Sequence, residues 1–153
     1  MKQKYITYQK ALSKAMYLCS KAEKCKEDIR KKLYDWKANP SEYDKIISEL
    51  EKQKFIDEER YVKYYVRDKF EFNKWGKIKI RTMLYRKKIS EKLITEGLNY
   101  ISAEKYIENL EYLLNQKRKT IKDSEARKIK NKLMRFAASR GYEPDLILSI
   151  LNR

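Results

Sequence analysis

Ile29-Arg30-Lys31-Lys32-Leu33, Ile80-Arg81-Thr82-Met83-Leu84 and Ile129-Lys130-Asn131-Lys132-Leu133 are three versions of one pattern. Each opens on isoleucine and closes on leucine four residues later, with bases between. A spacing of four places both apolar side chains on one helix face, a turn apart. One such pair marks only an ordinary helix core. These three start 51 and 49 residues apart, and a near-constant period of that size is the mark of a repeated supersecondary unit.

Working outward, each pentad is flanked by further helical patterns. Before the first, Ala11, Ala15, Leu18, Cys19 and Ala22 fall on one face. Asn39-Pro40 breaks the chain after it, because proline disfavours helix in the residue it follows. Ser41 is then expected to cap a third helix carrying Ile46, Ile47 and Leu50. Around the second pentad, Asp57 is the expected cap of a helix bearing Tyr61, Val62, Tyr65, Val66 and Phe70. Asn73-Lys74-Trp75-Gly76 interrupts it, and Ser90 is expected to cap a helix with Leu93, Ile94 and Leu98. Around the third, Ser102 and Ser124 are the expected caps, Gly141 suits a left-handed helix end, and Pro144 opens a last short helix. The predicted fold is all-α: three tandem three-helix, helix-turn-helix-like repeats over 1–56, 57–102 and 103–153, stacked as an elongated curved array.

Composition agrees. Only 3 glycines and 2 prolines serve 153 residues, too few for the turns of a β-rich fold. With no histidine, neither a Ser-His-Asp triad nor an imidazole metal ligand can be built. The glycines are too scattered for a phosphate-cradling loop. Cys19 and Cys25 cannot complete a zinc site alone, and their spacing is not the redox C-x-x-C. They read as reduced thiols of an intracellular protein. No catalytic residue, metal or cofactor is expected. Met1–Lys10 lacks the apolar run of a signal peptide, and no stretch approaches a membrane span, so the expected location is the cytoplasm and no membrane partner is expected.

Lys and Arg number 38 against 22 Asp and Glu, a net charge of +16. Such a charge implies an anionic partner: nucleic acid, an acidic protein surface or anionic lipid. No acid occurs between Phe72 and Ser90 or between Ala126 and Tyr142. On a helical wheel, Lys77, Arg81 and Lys88 lie within roughly 40° of one another, with Lys74 near them. Lys128, Lys132 and Arg135 repeat the stripe in the third unit, and Arg30 and Lys31 stand in the first. The competing reading is a solvated face whose long side chains cover apolar surface. Like charges a turn apart repel, so their concentration without counter-charges favours binding. Trp75, between Lys74 and Gly76, is a candidate for stacking on an unpaired base, with core packing as the alternative.

The residues also carry a family resemblance. Phe55-Ile56-Asp57-Glu58-Glu59-Arg60-Tyr61-Val62 and Gly76-Lys77-Ile78-Lys79-Ile80, with Leu84 after it, resemble two elements of the RecX family. Ala15-Met16-Tyr17-Leu18 and Cys25-Lys26-Glu27-Asp28-Ile29-Arg30-Lys31-Lys32-Leu33 are similar to its opening. The chain departs from the family at Glu58 for aspartate, Val62 for alanine, Lys77 for proline and Lys88 for the glycine of a Gly-Ile turn. The resemblance implies a non-enzymatic regulator that binds the recombinase RecA and its single-stranded-DNA filament. Such a regulator mainly inhibits recombination and the SOS response, and contacts DNA through a basic face. A monomer is expected. The alternatives are a stand-alone helix-turn-helix DNA-binding protein, or a helical scaffold whose charge serves only solubility.

Overall fold

The computed structural model describes residues 4–153, which are all-helical apart from one isolated parallel bridge between Ile6 and Ala38. Nine α-helices occur among them: α1 Tyr8–Lys21, α2 Lys26–Asp35, α3 Tyr43–Lys52, α4 Glu58–Glu71, α5 Lys77–Arg86, α6 Glu91–Leu98, α7 Ala103–Arg118, α8 Ala126–Ser139 and α9 Pro144–Leu151. They group in threes, in the order the sequence predicts. No helix among the described residues is long and apolar enough to cross a membrane.

Local chemistry sets the helix starts. The hydroxyls of Ser90 and Ser102 accept from the Leu93 and Lys105 amides, and the Asp57 carboxylate accepts from Arg60 N–H. Such caps contribute about 1 kcal/mol each. Two expected caps are displaced. Asn39, not Ser41, caps the chain after α2: its side-chain oxygen accepts from Ser41 N–H and starts a 3-10 turn over Pro40–Glu42 before α3. Pro40 fixes the backbone for that tighter turn, so α3 begins later. Ser124 likewise lies outside α8: Asp123 accepts from the Glu125 amide, and Glu125 occupies the cap position.

Helix ends share a second device. Lys37, Lys54, Lys74 and Lys88 have φ of 61°, 64°, 54° and 59°, and Gly141 has 95°. Lys37, Lys88 and Gly141 follow the second helix of their respective groups. Each is followed by a buried residue: Ala38, Ile89 or Tyr142. The Ala38 and Tyr142 amides donate back to Leu33 and Ala137, closing Schellman-type ends.

The described chain forms two compact units. One takes in the chain up to Tyr64 together with Lys87–Ile89. Its core gathers Ala15, Ile29, Leu33, Ile46, Leu50 and Ile56, all at most 2% exposed. The other comprises Tyr65–Arg86 and Ser90–Arg153, centred on Ile80, Leu84, Ile94, Leu110, Leu133 and Ile147. The first two Ile-x-x-x-Leu pairs are fully buried as expected. In the third, Ile129 is only half-buried, and the buried stripe runs one turn further on through Leu133 and Ala137.

Within the second unit, the α8–α9 turn packs on the start of α5. Gly76 N–H donates to Arg140 O at 2.7 Å, and Ile78 N–H to Gly141 O at 3.0 Å. Two amides at the α5 N-terminus, the cap residue's and one of the first turn's, are thereby satisfied. Lys77 N–H donates to the Tyr106 hydroxyl at 2.8 Å, and that hydroxyl donates to Glu143. The Tyr142 hydroxyl donates to Lys74 O at 2.7 Å. Within the first unit, a matching turn meets the start of α2 by charge instead. Lys87 Nζ lies 2.5 Å from Asp28, and Lys88 Nζ 3.7 Å from Glu27.

Candidate nucleic-acid interface

The predicted basic residues fall on three second helices and the turns beside them. Arg30 and Lys31 lie on α2. Lys77 and Arg81 lie on α5, and Lys128, Lys132 and Arg135 on α8. Lys74 and Trp75 form the left-handed turn before α5. Lys88 does not continue the α5 stripe. The helix ends at Arg86 and Lys88 is left-handed, so the helical-wheel angle does not apply to it.

Five of these cations have carboxylate partners, which revises the expectation of unopposed charge. Arg30 pairs with Asp44 at 3.4 Å, Arg81 with Glu91, and Lys88 with Glu27. Lys128 pairs with Glu125 at 3.5 Å and Lys132 with Asp123 at 3.6 Å. The acids come from neighbouring helices and turns, which is why the acid-free stretches concealed them. Both side chains are exposed in the Arg30, Arg81 and Lys128 pairs, whereas those of Asp123 and Glu27 are 23% and 15% exposed. Exposed pairs such as the first three contribute about 0–1 kcal/mol, so a phosphate can displace the carboxylate at little cost.

Lys132 and Arg135 share a depression of about 520 Å³ with Lys117 and Lys122, floored by Ile121 and Phe136. The α7 C-terminus and the connection after it supply the two cations that sequence reasoning missed. The signal was present in the basic run Lys117-Arg118-Lys119, which the helix pattern masked. Lys117 Nζ and the Arg140 guanidinium also stand 5.4 and 5.1 Å from the Phe136 ring centroid. Four cations on one concave surface can hold a polyanion, because their positive potentials add where the anion sits.

Trp75 sits differently from Lys74, its sequence neighbour. Its half-buried ring lies 4.5 Å from Lys79 Nζ and 5.0 Å from Lys69 Nζ, measured to the ring centroid. Lys74 instead lies over Tyr112, and Lys77 over Tyr106. The two cysteines are free thiols. Burial first, and then neighbouring carboxylates, push Cys19 up to about 11; burial above all pushes Cys25 to about 11. A thiol so held is protonated at neutral pH and a poor nucleophile.

Comparison with known proteins adds the family. The family model for the second three-helix domain of RecX matches residues 57–98, and that for the third matches 104–151. The chain belongs to the RecX family. Regulatory protein RecX of Clostridium acetobutylicum is 34% identical over 139 residues, spanning 88% of this chain and 64% of that protein. RecX of Clostridium tetani is 31% identical over 148 residues, spanning 95% and 68%. The chain thus spans about two thirds of the length of these RecX relatives. A crystal structure of a regulatory protein RecX superposes with TM-score 0.87 at 22% identity, covering 100% of this chain and 83% of that one. RecX from Lactobacillus salivarius gives 0.76 at 20% identity, with 94% of each chain covered. These two likenesses carry the tandem three-helix RecX fold.

Proposed function

We propose that the protein is a non-enzymatic RecX-type regulator that binds RecA and the RecA–single-stranded-DNA filament and restrains recombinase activity in the cytoplasm. The observation that supports it most directly is the cationic depression of Lys117, Lys122, Lys132 and Arg135 on a chain of this family. Phosphates and the carboxylates of a protein partner are both ligands for such a surface. The proposed contacts are Lys132 and Arg135 in that depression, with Lys128 beside them, Lys74, Lys77 and Arg81 at α5, and Arg30, Lys31 and Lys88 in the first unit. The modules are the repeats 1–56, 57–102 and 103–153. Trp75 serves as a stacking platform only with Lys69 or Lys79 displaced from its ring.

The test adds the purified protein to a preassembled RecA filament and follows ATP hydrolysis. Hydrolysis should fall at substoichiometric protein. Unchanged hydrolysis at equimolar protein, with one duplex bound far more tightly than its scrambled versions, would replace the proposal with a stand-alone sequence-specific DNA binder.

A further inference from the structure

The first unit holds a second cavity, of about 550 Å³, which none of the basic stripes explains. Tyr34 comes from the last turn of α2, Tyr43 opens α3, and Tyr5 lies on the extended segment before α1. That segment is pinned, since Ile6 N–H donates to Lys37 O at 3.1 Å and Ile6 bridges Ala38. Lys4, Lys37 and Asp35 also line the cavity. The left-handed backbone of Lys37 turns the chain there from α2 toward the 3-10 turn. The volume falls in the range of about 300–1,000 Å³ typical of small-ligand sites. Tyr34 is 76% exposed and Tyr5 39%, so much of the aromatic surface is accessible. Burial, and then the nearby Tyr34 and Tyr5 phenols, push the Tyr43 phenol above its ordinary value.

We propose that this cavity holds an unpaired nucleobase of a single strand between the tyrosine rings, with the adjoining backbone phosphate on Lys4 and Lys37. This deepens the reading above, on which it rests for the nucleic-acid partner. Every base has a π-face, so aromatic walls hold one without reading its identity. The carboxylate of Asp35 opposes a purely anionic occupant such as an acidic peptide, but can accept from the amine or ring N–H of a base. A duplex keeps its bases stacked and cannot offer one.

The test measures fluorescence anisotropy with an oligothymidylate and with an abasic strand of equal length and charge. Wild type should bind the base-bearing strand about tenfold more tightly, as one stacked base allows. Y34A should lose about fivefold or more on oligothymidylate and nothing on the abasic strand, while Y34F keeps the preference. Tyr34 is mostly exposed, so Y34A leaves the core intact. Equal binding of the two strands by wild type, or a Y34A loss equal on both, overturns the proposal. An unaffected filament in the ATP hydrolysis assay, with this strand preference intact, overturns the regulatory reading and leaves the base pocket standing.

Discussion

Gly76 and Gly141 meet with no room for a side chain between them. A Cβ on Gly76 would lie 2.2 Å from the Gly141 carbonyl carbon, and one on Gly141 would lie 2.3 Å from Lys79 Cβ. The close approach lets the Gly76 and Ile78 amides reach the Arg140 and Gly141 carbonyls. Gly141 also holds φ +95°, where a side chain is strained whatever the space. G141A should therefore cost about 2–4 kcal/mol, combining left-handed strain with overpacking, and G76A about 1–3 kcal/mol. Urea unfolding at neutral pH measures both; wild-type midpoints would refute the close-approach account.

Tyr106 joins the same region by its hydroxyl as well as by its ring, whose centroid lies 5.0 Å from that of Tyr142. Y106F keeps the ring but leaves Lys77 N–H without an acceptor and Glu143 without a donor. Destabilisation of about 1–3 kcal/mol is expected, as for a half-buried group stripped of its partner. Thermal unfolding of the variant against wild type decides it.

Lys54 ends α3 with φ 64° and an exposed side chain. K54G should stabilise by about 0.5 kcal/mol: relief of about 1–2 kcal/mol of left-handed strain exceeds the 0.4–1 kcal/mol of extra unfolded-state entropy. K54A keeps the strain and serves as the control. Equal stability of the two variants would contradict the prediction.

Asp28 sets an acid limb. Burial pushes its carboxyl up, but the Lys87 ammonium and the Cys25 amide outweigh burial, and the net result lies below its ordinary value. A lowered carboxyl contributes stability above its unfolded-state pKa and loses it as pH falls through the folded-state value. Wild type should therefore lose stability below about pH 4 more steeply than D28N, while D28N is the less stable at pH 7. Melting temperatures over an acid series test this, and parallel curves would refute it.

Reversal of the α8 charge tests the depression. K132E/R135E should weaken single-stranded-DNA binding and flatten its salt dependence by about 0.7 in slope for each phosphate no longer neutralised. Both side chains are exposed, so circular dichroism should be unchanged. An unaltered salt slope would remove this surface from the interface. The change breaks the Lys132 pair with Asp123, as one at Arg81 would break the pair with Glu91, so unchanged circular dichroism is the control the test needs.

What was legible in the chain was what acts over one or two helix turns. Ser90, Ser102, Asp57 and Pro144 are recognisable starts because a cap needs only a side-chain oxygen near the next amides, or a preset φ. Ser41 and Ser124 misled because Asn39 and Glu125 take the cap positions: Asn39 accepts from the Ser41 amide itself, and Asp123 holds the Glu125 amide. The buried stripes were legible from period alone down to Ile29, Leu33, Ile80 and Leu84. The site was less so. Arg81 finds Glu91 ten residues away and Lys87 finds Asp28 fifty-nine away, pairings no helical wheel contains. The walls Tyr5, Tyr34 and Tyr43 come from three separate segments, so only folding brings them together.

The two turns that follow α5 and α8 grip their neighbours by opposite means. Ammonium against carboxylate, as in Lys87 with Asp28, is a fastening that dissolved salt and protons can loosen. Glycine backbone laid against glycine backbone answers to neither. A rise in ionic strength should therefore loosen the turn after α5 on α2 more than the turn after α8 on α5, so that this one fastening follows the same variable that governs the hold on a charged strand.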